Sequence, residues 1–131
     1  MTVLTRQQIL SADDLKSKRV KVPEWGGDVF VRELTAAERD EYESSIVKTD
    51  GLDVTVNATN MRAKLVSMSV VDKDGKRLFT AKDVVKLGEK SAAVIDRIVD
   101  VSRRLSRIGP AELEELGKGL RAVESGASAS T

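Results

Sequence analysis

The spacing of apolar residues changes from a period of two to a helical period early in the chain. Val20 and Val22 alternate with basic residues, and Val29 and Val31 repeat the alternation after a Pro-Glu-Trp-Gly-Gly-Asp stretch. A period of two is expected of half-buried strands, and paired glycines suit a tight connection between them. The pattern therefore predicts an antiparallel β-hairpin over about residues 19–33.

Helical spacing dominates the rest of the chain. Thr35 and Glu38 form a capping-box pattern, and Thr80 with Asp83 repeats it. The most regular stripe advances by four, three, four and three residues along one helix face, at Val94, Ile98, Val101, Leu105 and Ile108. These patterns predict helices over about residues 36–48, 58–70, 81–87, 91–108 and 111–123. Asp50-Gly51 is expected to end the first of them.

The last predicted helix is the weakest. Gly109-Pro110 separates it from the preceding helix, and Gly117 and Gly119 each weaken it by up to about 1 kcal/mol relative to alanine. Residues 125–131 are small and polar, so we expect a disordered tail. The fold class is thus α+β, mainly α: an N-terminal β-hairpin followed by four or five short-to-medium helices, in a single domain over residues 1–124.

The amino-acid composition excludes most kinds of catalytic and metal-binding chemistry. The 131 residues include neither cysteine nor histidine, so thiol nucleophiles, imidazole bases and the usual zinc ligands are absent from the sequence. We therefore expect no enzyme and no cofactor. Twenty-two basic and 21 acidic residues are interleaved along the chain, which indicates neither a nucleic-acid nor a membrane surface.

Two motifs look like ligand sites but have simpler explanations. Asp72, Asp74 and Gly75 resemble the start of a calcium loop, yet the next ligand positions are wrong and a surface turn is favoured. Arg103, Arg104 and Arg107 are candidates for phosphate contact, but Asp96 and Asp100 on the same helix can neutralise them. Neither motif supports a ligand site.

Partner contact is the remaining candidate chemistry. The helical stripe containing Val94, Ile98 and Val101 suits a partner-binding seam, although its length favours core packing. The glycine-weakened segment with Leu113, Leu116 and Leu120 suits folding against a partner as well as it suits simple packing. Trp25 either staples the hairpin to the helices, which is favoured, or stands exposed as an anchor.

Two blocks of sequence resemble a known family. VKVPEWGGDVFVRELTAAERDEYE and VDKDGKRLFTAKDVVKLGEKSAAVIDRIVDVSRRLS are similar to the small tail assembly chaperones of long-tailed bacteriophages. The resemblance implies a non-catalytic protein of the host cytoplasm that is absent from the mature virion. It also implies binding to the tape measure protein, which is kept soluble, and help for the tail tube protein to assemble around it. Self-association into a homo-oligomer stays open.

Two other functions are compatible with a small domain that lacks catalytic residues. One is a structural component of the virion, at the head-tail connection or as a minor tail protein. The other is a small DNA-binding regulator, which requires a recognition helix rich in base-reading residues.

Overall fold

The structure is a computed structural model that describes residues 2–51, 53–56 and 60–108, with the backbone alone for 48–50 and 53–56. The predicted α+β class with an N-terminal hairpin is confirmed. The elements are α1 (Arg6–Ser11), β1 (Ser17–Val22), β2 (Gly27–Arg32), α2 (Ala36–Ile46), β3 (Val47–Asp50), β4 (Asp53–Val56), α3 (Met61–Ser69), β5 (Val70–Val71), α4 (Val84–Gly88) and α5 (Ala92–Ser106). No helix within the described ranges has the length and apolar character needed to cross a membrane.

The N-terminal hairpin forms the first two strands of a three-stranded antiparallel sheet in the order β1-β2-β5. The turn between β1 and β2 is a short 3-10 helix, Pro23–Trp25, closed by Gly26 at a φ of 82°. Only glycine adopts that left-handed conformation without steric cost. β5 is an addition to the sequence prediction: Val70 pairs with Val31, and Val71 with Phe30. Its two residues are too few to show a period of two.

A second hairpin lies where the sequence predicted only helix and loop. α2 ends at Ile46, and Val47 starts strand β3, which pairs antiparallel with β4 from Val47 opposite Val56 to Asp50 opposite Asp53. Gly51, at a φ of 63°, lies in the turn of this hairpin rather than at the end of a helix. The β-branched residues on both sides of Gly51 favour this pairing over continued helix.

The other predicted helices differ from the observed ones mainly at their ends. α3 begins at Met61 rather than near residue 58, and α5 covers most of the predicted 91–108 stripe. The predicted 81–87 helix is a 3-10 turn, Ala81–Asp83, followed by α4. The predicted helix 111–123 and tail 125–131 lie outside the described residues.

The core lies between one face of the sheet and the helices. The sheet contributes Val20, Val22 and Val31, and α5 packs on it with Val94, Ile95, Ile98 and Val99. α3 is buried between α5, α4 and α2 along most of its length. Inside this apolar interior, the hydroxyl groups of Ser69 on α3 and Ser102 on α5 are hydrogen-bonded at 2.6 Å.

The buried serine pair gives a stability prediction. Replacing Ser69 by alanine leaves the Ser102 hydroxyl without its partner in the core, so we expect the free energy of unfolding to fall by about 1–2 kcal/mol. The double variant Ser69→Ala with Ser102→Ala removes both polar groups and should be less destabilised than the sum of the two single variants. Urea unfolding followed by circular dichroism measures all three, and strict additivity would contradict the prediction.

Candidate functional site

An open apolar groove runs along the surface between α2, α3 and the segment that leads into α4. We call it the α4 groove, and its volume is about 340 Å³. Most of its exposed lining surface is apolar, and five apolar side chains contribute to it, namely Met68, Phe79, Ala81, Val84 and Val85. Polar and charged side chains complete it, namely Glu41, Ser45, Lys64, Ser67, Arg77 and Thr80. Its volume is at the lower end of the range typical of ligand-binding clefts.

The chain builds one wall of the groove by turning back after β5. The carboxylate of Asp72 accepts hydrogen bonds from the backbone N-H groups of Asp74 at 2.8 Å and Lys76 at 3.0 Å, which closes a tight turn. Leu78 then donates its N-H to the carbonyl of Val70 at 3.2 Å. This return places the next residue, Phe79, partly buried against the core, with part of its ring lining the groove.

A capping box fixes the other side of the same wall. The hydroxyl of Thr80 accepts from the N-H of Lys82 at 3.3 Å, and the Thr80 N-H donates to the carboxylate of Asp83 at 2.9 Å. These bonds begin the 3-10 turn that continues into α4. Val84 consequently packs against the core, whereas Val85 remains 63% exposed. An exposed valine beside a half-buried phenylalanine is typical of a surface that a partner covers.

The charged rim of the groove is held by a carboxylate on α2. Glu38 accepts from Arg77 at 2.6 Å and from Arg32 of β2 at 2.8 Å, and only 13% of its side chain is exposed. Burial, the largest single influence, raises the Glu38 pKa. The hydrogen bonds from the Thr35 N-H and Arg77, with the positive charges of Arg32 and Arg77, outweigh burial, so the pKa is lowered from its ordinary value.

Lys64, the second basic residue on the rim, is also held by a hydrogen bond. Lys64 of α3 donates from Nζ to the carbonyl of Ser45 on α2 at 3.1 Å. The two basic groups at the groove, Lys64 and Arg77, are therefore positioned by the fold rather than free to move in solvent. Such anchored charges can orient an approaching helix through its own acidic side chains.

A separate apolar surface lies at the N-terminus. α1 starts with a capping box in which Thr5 Oγ1 accepts from the Gln8 N-H at 3.2 Å, and all of its residues are exposed. The large apolar side chains on and before this helix are 56–92% exposed, namely Val3, Leu4, Ile9 and Leu10. α1 is thus a formed helix whose apolar side chains are not packed on the described part of the chain.

The residues predicted from the sequence to contact a partner lie in the core, on the surface or outside the described residues. Val94 and Ile98 are 1% and 0% exposed in the core, and Val101 is partly buried against it, so this stripe packs inside the domain. Trp25 is 38% exposed at the hairpin turn. The leucines at 113, 116 and 120 lie outside the described residues.

An ion pair attaches the hairpin turn to α5. The guanidinium of Arg97 donates to both carboxylate oxygens of Glu24, at 2.6 and 2.8 Å, and to the carbonyl of Lys21 at 3.3 Å. The Arg97 hydrogen bond is the main cause that lowers the Glu24 pKa to about 2. Neither this pair nor the groove was predicted from the sequence. The adjacent Val84 and Val85 could have indicated an exposed apolar surface. Neighbouring residues on one short helix point in different directions, so only one of the two valines can face the core.

An apolar groove with anchored charges on its rim is typical of domains that bind amphipathic helices of other proteins. Residues 5–118 match the family model described as phage tail assembly chaperone. Because this match covers most of the sequence, the protein belongs to the phage tail assembly chaperone family, and the resemblance noted from the sequence is confirmed.

The fold is similar to that of a solved member of the same class. The structure of the bacteriophage HK97 tail assembly chaperone superposes with a TM-score of 0.56 at 21% sequence identity, and the match covers 79% of this chain and 94% of that one. At this identity the likeness concerns the fold. No curated protein matched the sequence.

Proposed function

We propose that this tail assembly chaperone binds the tape measure protein of its phage, keeps it soluble and helps the tail tube protein assemble around it, without catalysis. The α4 groove supports this proposal most directly. Its apolar lining and the anchored charges of both signs on its rim suit an amphipathic helix, and a long helical tape measure chain would carry many such helices. Family membership implies tail-protein partners in general, and we propose the groove as their binding surface.

The size of the groove suits a contact that must later be released. A groove of about 340 Å³ accepts a few side chains from one helix face, not a whole interface. Burying an apolar side chain contributes about 1.5–3 kcal/mol, and part of this gain is lost to the ordering of the two partners. Each contact is therefore weak, and several copies along one tape measure chain would cover its apolar stripes reversibly.

The ion pairs on α5 make the DNA-binding alternative less favourable. Arg104 pairs with Asp100 at 3.0 Å, and Arg97 pairs with Glu24 at 2.6 Å. Asp96 on the same helix pairs with Arg62 of α3 at 2.7 Å. These acidic partners reduce the positive charge that Arg97 and Arg104 could offer to phosphates. We further propose that the protein acts in the host cytoplasm and leaves before the virion is complete.

Co-expression tests the proposal. Producing the full chain together with the tape measure protein of the same phage should raise the soluble yield of the tape measure protein severalfold, because its apolar helices are covered while it accumulates. Two controls are needed. In one the tape measure protein is expressed alone, and in the other it is expressed with an unrelated soluble protein. An unchanged yield would contradict the proposal, and detection of the chaperone in purified virions by mass spectrometry would favour a structural component instead.

A further inference from the structure

We propose that the outer edge of β1 binds an extended acidic segment of a partner protein, which adds to the three-stranded sheet as a fourth strand. This surface is separate from the α4 groove, and the proposal goes beyond the proposed function without resting on it. It rests on the order of the strands, on the direction of the backbone groups of β1 and on the charges along that strand.

β1 forms the longer edge of the sheet, since the strand order is β1-β2-β5 and β1 has six residues. The edge at β5 is short and already engaged: the Leu78 N-H donates to the carbonyl of Val70 at 3.2 Å, and Val71 forms a bridge with Arg77. No strand within the described residues pairs with the outer edge of β1. Because neighbouring strands are about 4.8 Å apart, this edge lies about 10 Å across the sheet from β5, which leads into the groove wall.

The register of the hairpin determines which backbone groups of β1 take no part in its pairing with β2. Lys16, just before β1, lies opposite Glu33, and its carbonyl accepts from the Glu33 N-H at 2.8 Å. Hydrogen-bonded pairs alternate with non-bonded pairs along an antiparallel ladder. Ser17, Arg19 and Lys21 therefore direct their N-H and C=O groups away from β2.

The outward backbone groups form a row with which an extended chain can pair. Arg97 of α5 donates to the Lys21 carbonyl at 3.3 Å, which agrees with a carbonyl that points away from β2. Ser17 and Arg19 each present an N-H and a C=O, and Lys21 presents its N-H. The three residues are exposed. Donors and acceptors at alternate residues are what an added strand requires.

The side chains of β1 determine the charge of the segment that fits. Lys18, Arg19 and Lys21 are basic and exposed. Arg19 pairs with Asp28 at 2.7 Å, whereas no carboxylate of the described residues forms an ion pair with Lys18 or Lys21. Arg19 and Lys21 lie on the sheet face opposite to the buried Val20. Acidic residues at alternate positions of an added strand would stand opposite these two, and each such pair contributes about 0.2–1 kcal/mol.

Other occupants fit this edge less well. Pairing two copies of β1 would place basic residues against basic residues, and like charges directly opposite each other destabilise a sheet. Lysines on an edge strand also disfavour the addition of apolar strands. A nucleic acid would meet the charges through its phosphates, but it would not use the alternating donors and acceptors of the backbone. An acidic extended peptide uses both features.

Amide hydrogen exchange of the full chain, followed residue by residue by NMR, tests the proposal. The probe is a short peptide that alternates glutamate with valine. In the free protein the N-H groups of Ser17, Arg19 and Lys21 should exchange fast, whereas those of Lys18 and Val20 are protected by the ladder. Saturating peptide should slow exchange at the three outward N-H groups by about tenfold or more, because each becomes hydrogen-bonded.

Two matched peptides separate strand pairing from charge, with affinities measured by fluorescence anisotropy. A peptide methylated on every backbone nitrogen keeps the charge but donates no backbone hydrogen bond, so it should bind about tenfold more weakly or worse. A peptide with lysine in place of glutamate should bind about tenfold more weakly, because attraction becomes repulsion. The double variant Lys18→Glu with Lys21→Glu should reverse the preference between the glutamate and lysine peptides. Circular dichroism establishes that the variant is folded.

Several results would overturn the proposal. Binding without slower exchange at Ser17, Arg19 and Lys21, or equal affinity of the methylated peptide, would exclude strand addition. Equal affinity of the lysine peptide would exclude selection by charge, and failure of the glutamate peptide to bind at about 1 mM would exclude the site. Protection of the same N-H groups by a single-stranded oligonucleotide would indicate nucleic acid as the occupant. Their protection on dimerisation of the chain alone would indicate a second copy.

Discussion

Replacing Val85 by aspartate is expected to abolish the gain in soluble tape measure protein that the wild-type chain produces on co-expression. Val85 lines the α4 groove and is 63% exposed, so the substitution should leave the fold intact. A helix that docks in the groove would have to bury the new carboxylate against its own apolar face, which costs several kcal/mol. Since each 1.4 kcal/mol is a factor of ten, affinity should fall by about a hundredfold or more.

Leu78→Asp is the matched control for this variant. Leu78 is 54% exposed and precedes Phe79, but its side chain does not line the groove. It therefore tests whether any added charge in this exposed apolar region weakens binding. The soluble fraction of tape measure protein, measured by quantitative immunoblotting, should stay near the wild-type value for Leu78→Asp. Equal loss in both variants, or no loss in Val85→Asp, would contradict the assignment of the groove as the binding surface.

The parts of the fold that the sequence predicted are those determined by residues close together in the chain. The β1-β2 hairpin follows from alternation on both sides of two glycines, and α2 begins after Thr35 as its capping box predicts. In contrast, β5 pairs with a strand about forty residues earlier and has only two residues of its own. Neither a period nor a turn signal identifies such a strand, because its pairing depends on where α3 ends.

The groove could not be predicted because no single segment contains it. Its lining comes from α2, α3 and residues 77–85, and only the fold brings these together. The stripe at Val94 and Ile98 shows the opposite case. It has the strongest helical pattern in the sequence, and the sheet and α3 cover it. The strong apolar stripe of α5 is therefore buried within its own domain. The weaker apolar pair, Val84 and Val85, includes an exposed side chain and becomes the candidate for partner contact.

Glu38 also has a role that its sequence context only partly predicted. The sequence identified it as the third residue of a capping box, and its carboxylate does accept the Thr35 N-H at 2.9 Å. The same carboxylate also binds Arg32 and Arg77, from a strand and a loop that are distant in sequence. Arg32 in turn donates to the carbonyl of Gly75 at 2.9 Å. Glu38 thus attaches the turn before the groove to both α2 and the sheet.

Replacing Glu38 by alanine is therefore expected to lower the free energy of unfolding by about 3 kcal/mol at pH 7. The substitution removes half of the capping box and leaves the guanidinium groups of Arg32 and Arg77, whose side chains are 17% and 34% exposed, without their carboxylate. Urea unfolding followed by circular dichroism gives the value. Glu41→Ala is the matched control on the same helix, because Glu41 lies 3.7 Å from Arg77 but its side chain is 66% exposed. That variant should lose less than about 1 kcal/mol.

The pH dependence of stability distinguishes the ion pairs of Glu38 from simple packing. Because the folded-state pKa of Glu38 lies below its ordinary value of 4.5, its contribution is full above that pH and is lost as the pH falls through the folded-state pKa. The stability difference between wild type and Glu38→Gln should accordingly be largest near neutral pH and shrink below about pH 4.5. A difference that stays constant from pH 7 to pH 3 would show that the charge of Glu38 contributes nothing, and that its role is confined to packing and capping.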